Sequence, residues 1–543
     1  MIIVEPIAIG DVACKRGSPK SVYDRTGTLV EVPADALAVT YDPSDLSKAP
    51  FAVVDLEPET NHIRNNTMQG AVAGSPGTKP SFWGFLDGVD GAVLGITANI
   101  VDLPIENGVQ CIDIRYQGNA SANGSLYIRF EFNEIVAAVA GQKWVAGFFY
   151  RMRPSVSLPN SLRSFITERS AVPAHIQQSS GEALPISGQP LTQYEHELTI
   201  TNANTAFIHS GLTMSFSAGQ SYDFTVRIGL PHLCRDKLPR FPIKTGNGAV
   251  TRAADVIGAG AGLVYSNVPI AEAAYDPKVT YAKDARVYDP VSYGAFQSLV
   301  AGNVGKALGD TSAWSPRGTV NRRAMFDDYN NTQTVMPDEI LVVLTPEMVA
   351  QGLYLGNLDV HELRISMVDA ADGVVYSEVI SLIESNSQSS YFNWMFRRIK
   401  RRTYFFVLNL PVYANALVTI SLRKIGAKAK IGMCAIGPVE EFGPSLLGLS
   451  TEGKDFSSTT FNFDGTSKTT IRPYAKRMSC DVVVPNDEIT YVQDRLFELR
   501  QRALVWVGGP YGSTAVFGRY GSFKNVIEYQ MQSKMNLTIE GAV

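Results

Sequence analysis

Three pairs of neighbouring carboxylates could do acid–base work in this chain: Asp327 with Asp328, Asp369 with Asp372, and Glu440 with Glu441. Glycoside hydrolysis needs two carboxyl groups converging across a cleft, roughly 5–9.5 Å apart. Adjacent residues on a strand point to opposite faces, so neither 327/328 nor 440/441 can converge. Asp369 and Asp372 flank a hairpin turn, where aspartate is favoured because its side chain hydrogen-bonds the turn backbone. The six histidines, His62, His175, His196, His209, His232 and His361, show no His-x-x-x-His or His-Glu-x-x-His spacing, so a helix-borne zinc site has no support. Glu195 and Glu197 share one face of a strand and His196 takes the other, a poor metal cradle. There is no Gly-x-Ser-x-Gly elbow and no phosphate-binding P-loop. The five cysteines, Cys14, Cys111, Cys234, Cys434 and Cys480, are scattered without a Cys-x-x-Cys pair. They read as buried thiols of a protein folded in a reducing cytoplasm, one or two disulfides being the other reading. The expectation is a chain with no catalytic residue, no metal and no cofactor.

Binding chemistry is better represented. Residues 274–327 read AYDPKVTYAKDARVYDPVSYGAFQSLVAGNVGKALGDTSAWSPRGTVNRRAMFD. Short apolar runs are cut there by Asp-Pro, Lys-Asp and Gly-Asn turn pairs, so this is a meander of short strands. Tyr275, Tyr281, Tyr288, Tyr293, Phe296 and Trp314 are many large rings for so small a module. Either they form its core, or some stay at the surface, where a flat ring with a polar tip suits a sugar face or a protein. The sugar-facing candidates are Trp83, Tyr281, Tyr288, Tyr293 and Trp314; Trp83 and Trp314, in Pro/Ser/Gly surroundings, are expected to be exposed. Trp144, inside an apolar strand, belongs to a core. The basic run Arg397, Arg398, Lys400, Arg401, Arg402 is the strongest charge feature. It suits an acidic neighbour in an assembly, an anionic polysaccharide or DNA, against the plain reading of a solvated turn.

The elements that must position these groups are mostly strands. At 543 residues several domains are expected. The 46 Gly and 29 Pro, with 25 Phe and 23 Tyr, fit many short strands and turns. A net charge of −4 gives no reason to expect nucleic acid as main partner. The N-terminus lacks the layout of a secretory signal, and no segment reaches the ~18 apolar residues that span a bilayer. Residues 22–30 signal a hairpin, residues 126–132 (LYIRFEF) alternate strictly, and residues 139–152, 197–201 and 217–231 add strands. Residues 246–269, rich in Gly and Ala, read as a flexible linker. From residue 336 a second sandwich runs through 340–344, 362–369, 374–380, 403–408, 416–423 and 429–436. Residues 487–500 read as a helix, with Ile489, Val492, Leu496 and Leu499 on one face. It is flanked by strands at 478–484, 503–507, 515–518, 526–529 and 535–540. The fold class is mainly β and multidomain: jelly-roll-like β-sandwiches joined by a small β module, with a C-terminal α+β domain. Its parts are 1–245 (a strand-rich lead-in plus jelly roll), 246–269, 270–335, 336–445 and 446–543.

Several segments carry a family resemblance. Residues 274–327 resemble the small chitin-binding-type modules of bacterial enzymes and their copies in bacteriophage tail proteins, and NRRAMFD at 321–327 favours the phage version. NNTMQGAVAGSPGTKPSFW at 65–83 is similar to the first strand of jelly-roll carbohydrate-binding modules in tail fibres. AKRMS at 475–479, VWVG at 505–508 and LTIEG at 537–541 resemble the C-terminal part of tail or baseplate proteins of long-tailed phages. The resemblance implies a structural protein of a phage tail tip or baseplate, a virion component assembled in the host cytoplasm. Its implied partners are other tail proteins, copies of itself in a trimer or hexamer, and a host-surface polysaccharide, without membrane insertion. The basic run then becomes an assembly contact. The rival is a polysaccharide depolymerase carrying binding modules, although no internal repeat suggests the β-helix such enzymes often use.

Overall fold

Continuous apolar strands are buried on both faces, and alternating strands on one. The segment KWVAGFFYRM illustrates the first kind: as strand Lys143–Met152 it is almost wholly buried at the middle of a sheet. Leu126, Ile128 and Phe130 illustrate the second, buried while Tyr127 and Arg129 are half-buried. The computed structural model describes the chain apart from residues 86–93, 133–135, 155, 173, 187, 385–390, 397–399, 462, 464, 473, 528–529 and 543. It divides into two units, one of Cys14–Leu46 with Val53–Val256, the other of Met1–Ala13, Ser47–Ala52 and Ile257–Val543. The architecture is mainly β, as expected.

The first unit is a sandwich of two antiparallel sheets. One runs Ile105–Glu106, Val109–Asn119, Ser221–Arg235, Lys143–Met152, Thr192–Thr199, with Ile96–Asp102 also on Val109–Asn119. The other runs Gly124–Arg129, Phe207–Phe216, Ser161–Arg169, His175–Ala183. Ile114, Phe148 and Val226 of the first meet Ile128, Leu212 and Met214 of the second in one core. The hairpin expected at 22–30 is present, Lys20–Tyr23 pairing with Leu29–Val32, and Asp24 Oδ1 accepts the Thr26 and Thr28 N–H groups at its turn.

The expected linker at 246–269 is not one. Arg252 and Asp255 are buried in this unit. Asp255 accepts hydrogen bonds from Arg16 Nη1 (2.8 Å), from the Asp55 N–H (2.8 Å) and from Lys20 Nζ. Lys20 also pairs with Asp55 at 3.0 Å, and Arg252 with Asp55 at 3.0 Å and Glu59 at 2.5 Å. Small residues let the backbone come close, and these charges then tie the segment down.

The second unit holds the small meander, the second sandwich and the C-terminal domain. A six-stranded sheet, with Thr334–Thr345, Leu417–Ile431 and Glu362–Asp369 at its centre, faces a three-stranded sheet of Tyr404–Val407, Gly352–Gly356 and Met433–Gly437. Gly262–Ser266, from the supposed linker, is a strand of that larger sheet, with Leu263 and Val268 in the core. The C-terminal sheet has the order Val439–Glu441, Ile2–Val4, Leu504–Val507, Ala515–Val526, Gln532–Gly541, Tyr474–Pro485, Ser450–Asp455. The first strand of the chain therefore belongs here, not to an N-terminal lead-in: Ile3 pairs with Glu440 on one side and Trp506 on the other.

Helix Ile489–Glu498 covers one face of this sheet through Ile489, Val492 and Leu496, with Leu499 just beyond it, the four positions the spacing marked. Each buried leucine contributes roughly 1.5–3 kcal/mol. Arg495 binds Glu440 of strand Val439–Glu441 at 3.0 Å and Glu5, just past strand Ile2–Val4, at 2.6 Å. Where two strands were expected at 515–518 and 526–529, one long strand, Ala515–Val526, runs through; residues 528–529 lie outside the described residues. A further β-ribbon had no counterpart in the sequence reading. Ser450–Asp455 pairs with Tyr474–Pro485, and Ser458–Phe461 pairs with Ser467–Thr470. Every residue of Ser450–Asp455, Ser458–Phe461 and Ser467–Thr470 is exposed.

Candidate functional site

The rings expected at the surface are largely interior. Trp83 and Trp314 are each 1 % exposed. The Trp83 indole N–H donates to Asn65 O (3.1 Å), with the ring edge-to-face against Phe130. The Trp314 N–H donates to Lys306 O (3.0 Å). Their Pro/Ser/Gly surroundings are loops folded over the rings, whose carbonyls satisfy the one polar atom each indole carries. Tyr281 is buried against Trp314 (5.4 Å) and Tyr275 (6.1 Å), and its hydroxyl donates to Asp276 O. Tyr293 donates to the Asp11 carboxylate and lies under the Arg323 guanidinium, 4.3 Å from its ring centre. Tyr288 is half-buried on strand Arg286–Tyr288. The meander thus spends most of its rings on its own core. Trp144 is buried, as expected.

Of the basic run, Arg397 and Arg398 lie outside the described residues. Lys400–Arg401 forms a two-residue strand on Ile383–Glu384. Arg401 pairs with Asp359 at 3.6 Å, and Arg402 is exposed, its N–H donating to Leu382 O.

The carboxylates considered for acid–base work hold structure instead. Asp369 accepts the N–H groups of Ala371 and Asp372 across the hairpin turn, and Asp372 accepts the Tyr413 hydroxyl. Glu440 is taken by Arg495 and Tyr491. Burial raises the Asp327 carboxyl, against the lowering effect of hydrogen bonds from Thr332 and the Tyr329 N–H. His196 faces Ser179 Oγ at 3.1 Å, and Glu197 pairs with Lys143. Among the described residues no group of three or more His, Cys, Asp or Glu could hold a metal ion. All five cysteines are free and buried, which pushes their thiols up, to about 12 for Cys111, Cys234 and Cys434.

A concave site does exist in the second unit, assembled from strands far apart in sequence. It is a groove of about 440 Å³ at the base of the exposed ribbon, with Tyr354, Tyr404, Tyr474 and Phe517 as its aromatic lining. Tyr354 is buried, Tyr404 half-buried, and Tyr474 is 70 % exposed. Tyr404 occupies its place because Gly512 lacks a side chain: a Cβ there would come within 1.8 Å of the ring. Lys476 lies 5.7 Å from the Tyr404 ring centre and donates to Ala515 O; burial lowers its ammonium. Glu452 and Lys476 are the charged residues of the lining, and Asn331 and Thr403 add polar groups. The sequence reading passed over all three tyrosines. Only Tyr474, an aromatic flanked by Arg472 and Lys476, carried a local sign of exposure.

These features define a multidomain protein of β-sandwiches and related sheets with an aromatic groove. No family model and no curated protein matches the chain. Among solved structures it is similar to an arabinose-bound α-L-arabinofuranosidase, MgGH51, at TM-score 0.25 and 14 % identity, over 34 % of this chain and 27 % of that one. It is also similar to the tandem CBM22 domains of Xyn10C from Paenibacillus barcinonensis, at TM-score 0.18 and 9 % identity over 70 % and 96 %. A third similarity is to infectious bursal disease virus, Gx strain, at TM-score 0.13 and 9 % identity over 47 % and 80 %. Likeness at this level says nothing of activity. No helix among the described residues is long and apolar enough to cross a membrane.

Proposed function

We propose that the chain is a non-catalytic structural component of a bacteriophage tail tip or baseplate, and that its groove takes a neutral host-surface glycan. The groove lining carries the glycan reading: an exposed tyrosine ring and amide and hydroxyl groups, with a single carboxylate. A pyranose offers C–H groups to the ring face and hydroxyls to the polar rim. Glu452 and Lys476 cancel in charge, which favours a neutral saccharide over a polyanion. One carboxylate does not make a glycosidase, which needs an acid and a second carboxylate across the bond. The tail assignment rests on the resemblance of residues 65–83, 274–327, 475–479, 505–508 and 537–541 to tail proteins.

Titration with neutral oligosaccharides, followed by calorimetry or chemical-shift change, should give saturable binding. Tyr474→Ala, at an exposed position, should weaken it about fivefold, roughly 1 kcal/mol, with the fold unchanged. Absence of binding to any neutral saccharide would remove the glycan reading. Sustained release of reducing ends from host polysaccharide would replace it with the hydrolase reading. Electron microscopy of intact particles tests the tail assignment, which fails if the chain sits in the head or stays free in the lysate.

A further inference from the structure

The β-ribbon above the groove is built to be covered. A lone two-stranded ribbon is marginal in water, yet Ser458–Phe461 and Ser467–Thr470 pair with no sheet but each other among the described residues. It holds Phe461 79 % exposed, Ile471 87 % exposed, Phe463 fully exposed and Phe456 partly so. At its base, Ser450–Asp455 is the terminal strand of the seven-stranded sheet and, among the described residues, pairs only with Tyr474–Pro485. Such an edge is a template for another strand.

The sequence of that edge, STEGKD, specifies which strand. Glu452 and Lys454 stand two residues apart on one face, with Gly453 between them. If a second copy of the same strand pairs antiparallel about a two-fold axis through Gly453, each Glu452 faces the other copy's Lys454, and each Thr451 faces an Asp455. A register centred on Glu452 or on Lys454 would set like charges opposite each other, which is destabilising. Only the Gly453-centred register matches opposite charges, and it does so twice because the contact is symmetric. The four apolar side chains add roughly 600 Å² per copy. With the paired strand this approaches the ~800 Å² per partner of a stable complex.

We infer that strand Ser450–Asp455 pairs with itself across a two-fold axis, joining two copies of the chain through one continuous sheet and clasping them with the ribbon of Ser458–Phe461 and Ser467–Thr470. The occupant of this face is therefore a second copy. The contact builds dimers and even-numbered rings such as a hexamer; a trimer cannot be made from it alone. It shares Glu452 with the groove lining, whereas Lys454 lies outside that lining, so Lys454→Glu tests the pairing without changing a groove residue.

Sedimentation of the full chain over a concentration series tests it, with thermal melts to confirm that each variant is folded. The wild type should dimerise. Glu452→Lys and Lys454→Glu each turn two attractive pairs into two repulsive ones, and each should raise the dissociation constant about tenfold. The double variant, Glu452→Lys with Lys454→Glu, restores opposite charges and should return close to wild type. A monomer at every attainable concentration, single reversals without effect, or a double variant no tighter than the singles would each overturn the pairing.

Discussion

Asp255→Ala should cost the sandwich unit about 3–5 kcal/mol, the range for a buried ion pair that loses one partner. Arg16, Lys20 and Asp255 have side chains with no exposure at all. Burial opposes the Asp255 charge, but hydrogen bonds from Lys20, the Asp55 N–H and Arg16, with the Lys20 charge, outweigh it and hold the carboxyl below its usual range. Without it, Arg16 and Lys20 remain as buried cations. Arg16 keeps carbonyl partners in Ser18 and Pro33, and Lys20 keeps Asp55 and Val53 O, so the residual cost is charge more than orphaned N–H groups. Since two units unfold in one chain, the readout is hydrogen exchange in strands Val109–Asn119 and Ser221–Arg235 across a urea series. Protection there should collapse at lower urea in the variant. A loss under about 1 kcal/mol, the worth of an ordinary surface pair, would show the network to be incidental.

This network also shows where sequence reasoning stops. Local pattern was enough for helix Ile489–Glu498, whose buried positions repeat every three or four residues, and for strands such as Gly124–Arg129, whose alternation needs no partner to be visible. It was enough for the Asp369 turn, because the side chain serves the backbone two and three residues on. It failed where meaning depends on distant partners. Ile2–Val4 is three residues long and completes a sheet with residues more than four hundred positions away. Arg252 and Asp255 look solvated inside a small-residue run until Arg16, Lys20 and Glu59 are brought to them. Trp83 and Trp314 are covered by loops, and composition does not tell a loop beside a ring from a loop over it. The groove needs Tyr354, Tyr404 and Tyr474 from three separate strands, so no window of sequence contains it. Strands Ser450–Asp455, Ser458–Phe461 and Ser467–Thr470 lacked the alternation that marks a half-buried strand, because no face of them is buried within one copy.

Acidification from pH 7 to 4.5 should destabilise the sandwich unit by about 5 kcal/mol, roughly half from His209 and half from His232. Burial lowers the His209 imidazole to about 3, helped by Arg129 and Arg169. Its Nδ1 has no hydrogen-bond partner, and its ring stands edge-to-face with Phe165 at 6.0 Å. Burial likewise lowers His232, to about 4. There Nδ1 lies 2.7 Å from Leu230 O and Nε2 accepts the Ile243 N–H at 2.7 Å, so a proton on Nε2 would have to displace that bond. The sign follows from linkage. In the unfolded chain both rings take a proton below about pH 6.5 while the folded rings stay neutral. The unfolded state then binds more protons, and stability falls as pH falls through the window from 6.5 down to the folded values. Burial lowers His62 and His196 too, which adds in the same direction. Between pH 6 and 4.5 the two rings alone should therefore change the stability of this unit by about 2.4 kcal/mol per pH unit. His209→Leu should remove about half of the two-ring contribution while costing little at pH 7, because Nδ1, one of the two ring nitrogens it deletes, has no hydrogen bond to lose. Urea midpoints against pH, followed by exchange in Phe207–Phe216, measure both; a profile flat from pH 6 to 4.5 would mean that these rings reach water in the folded protein.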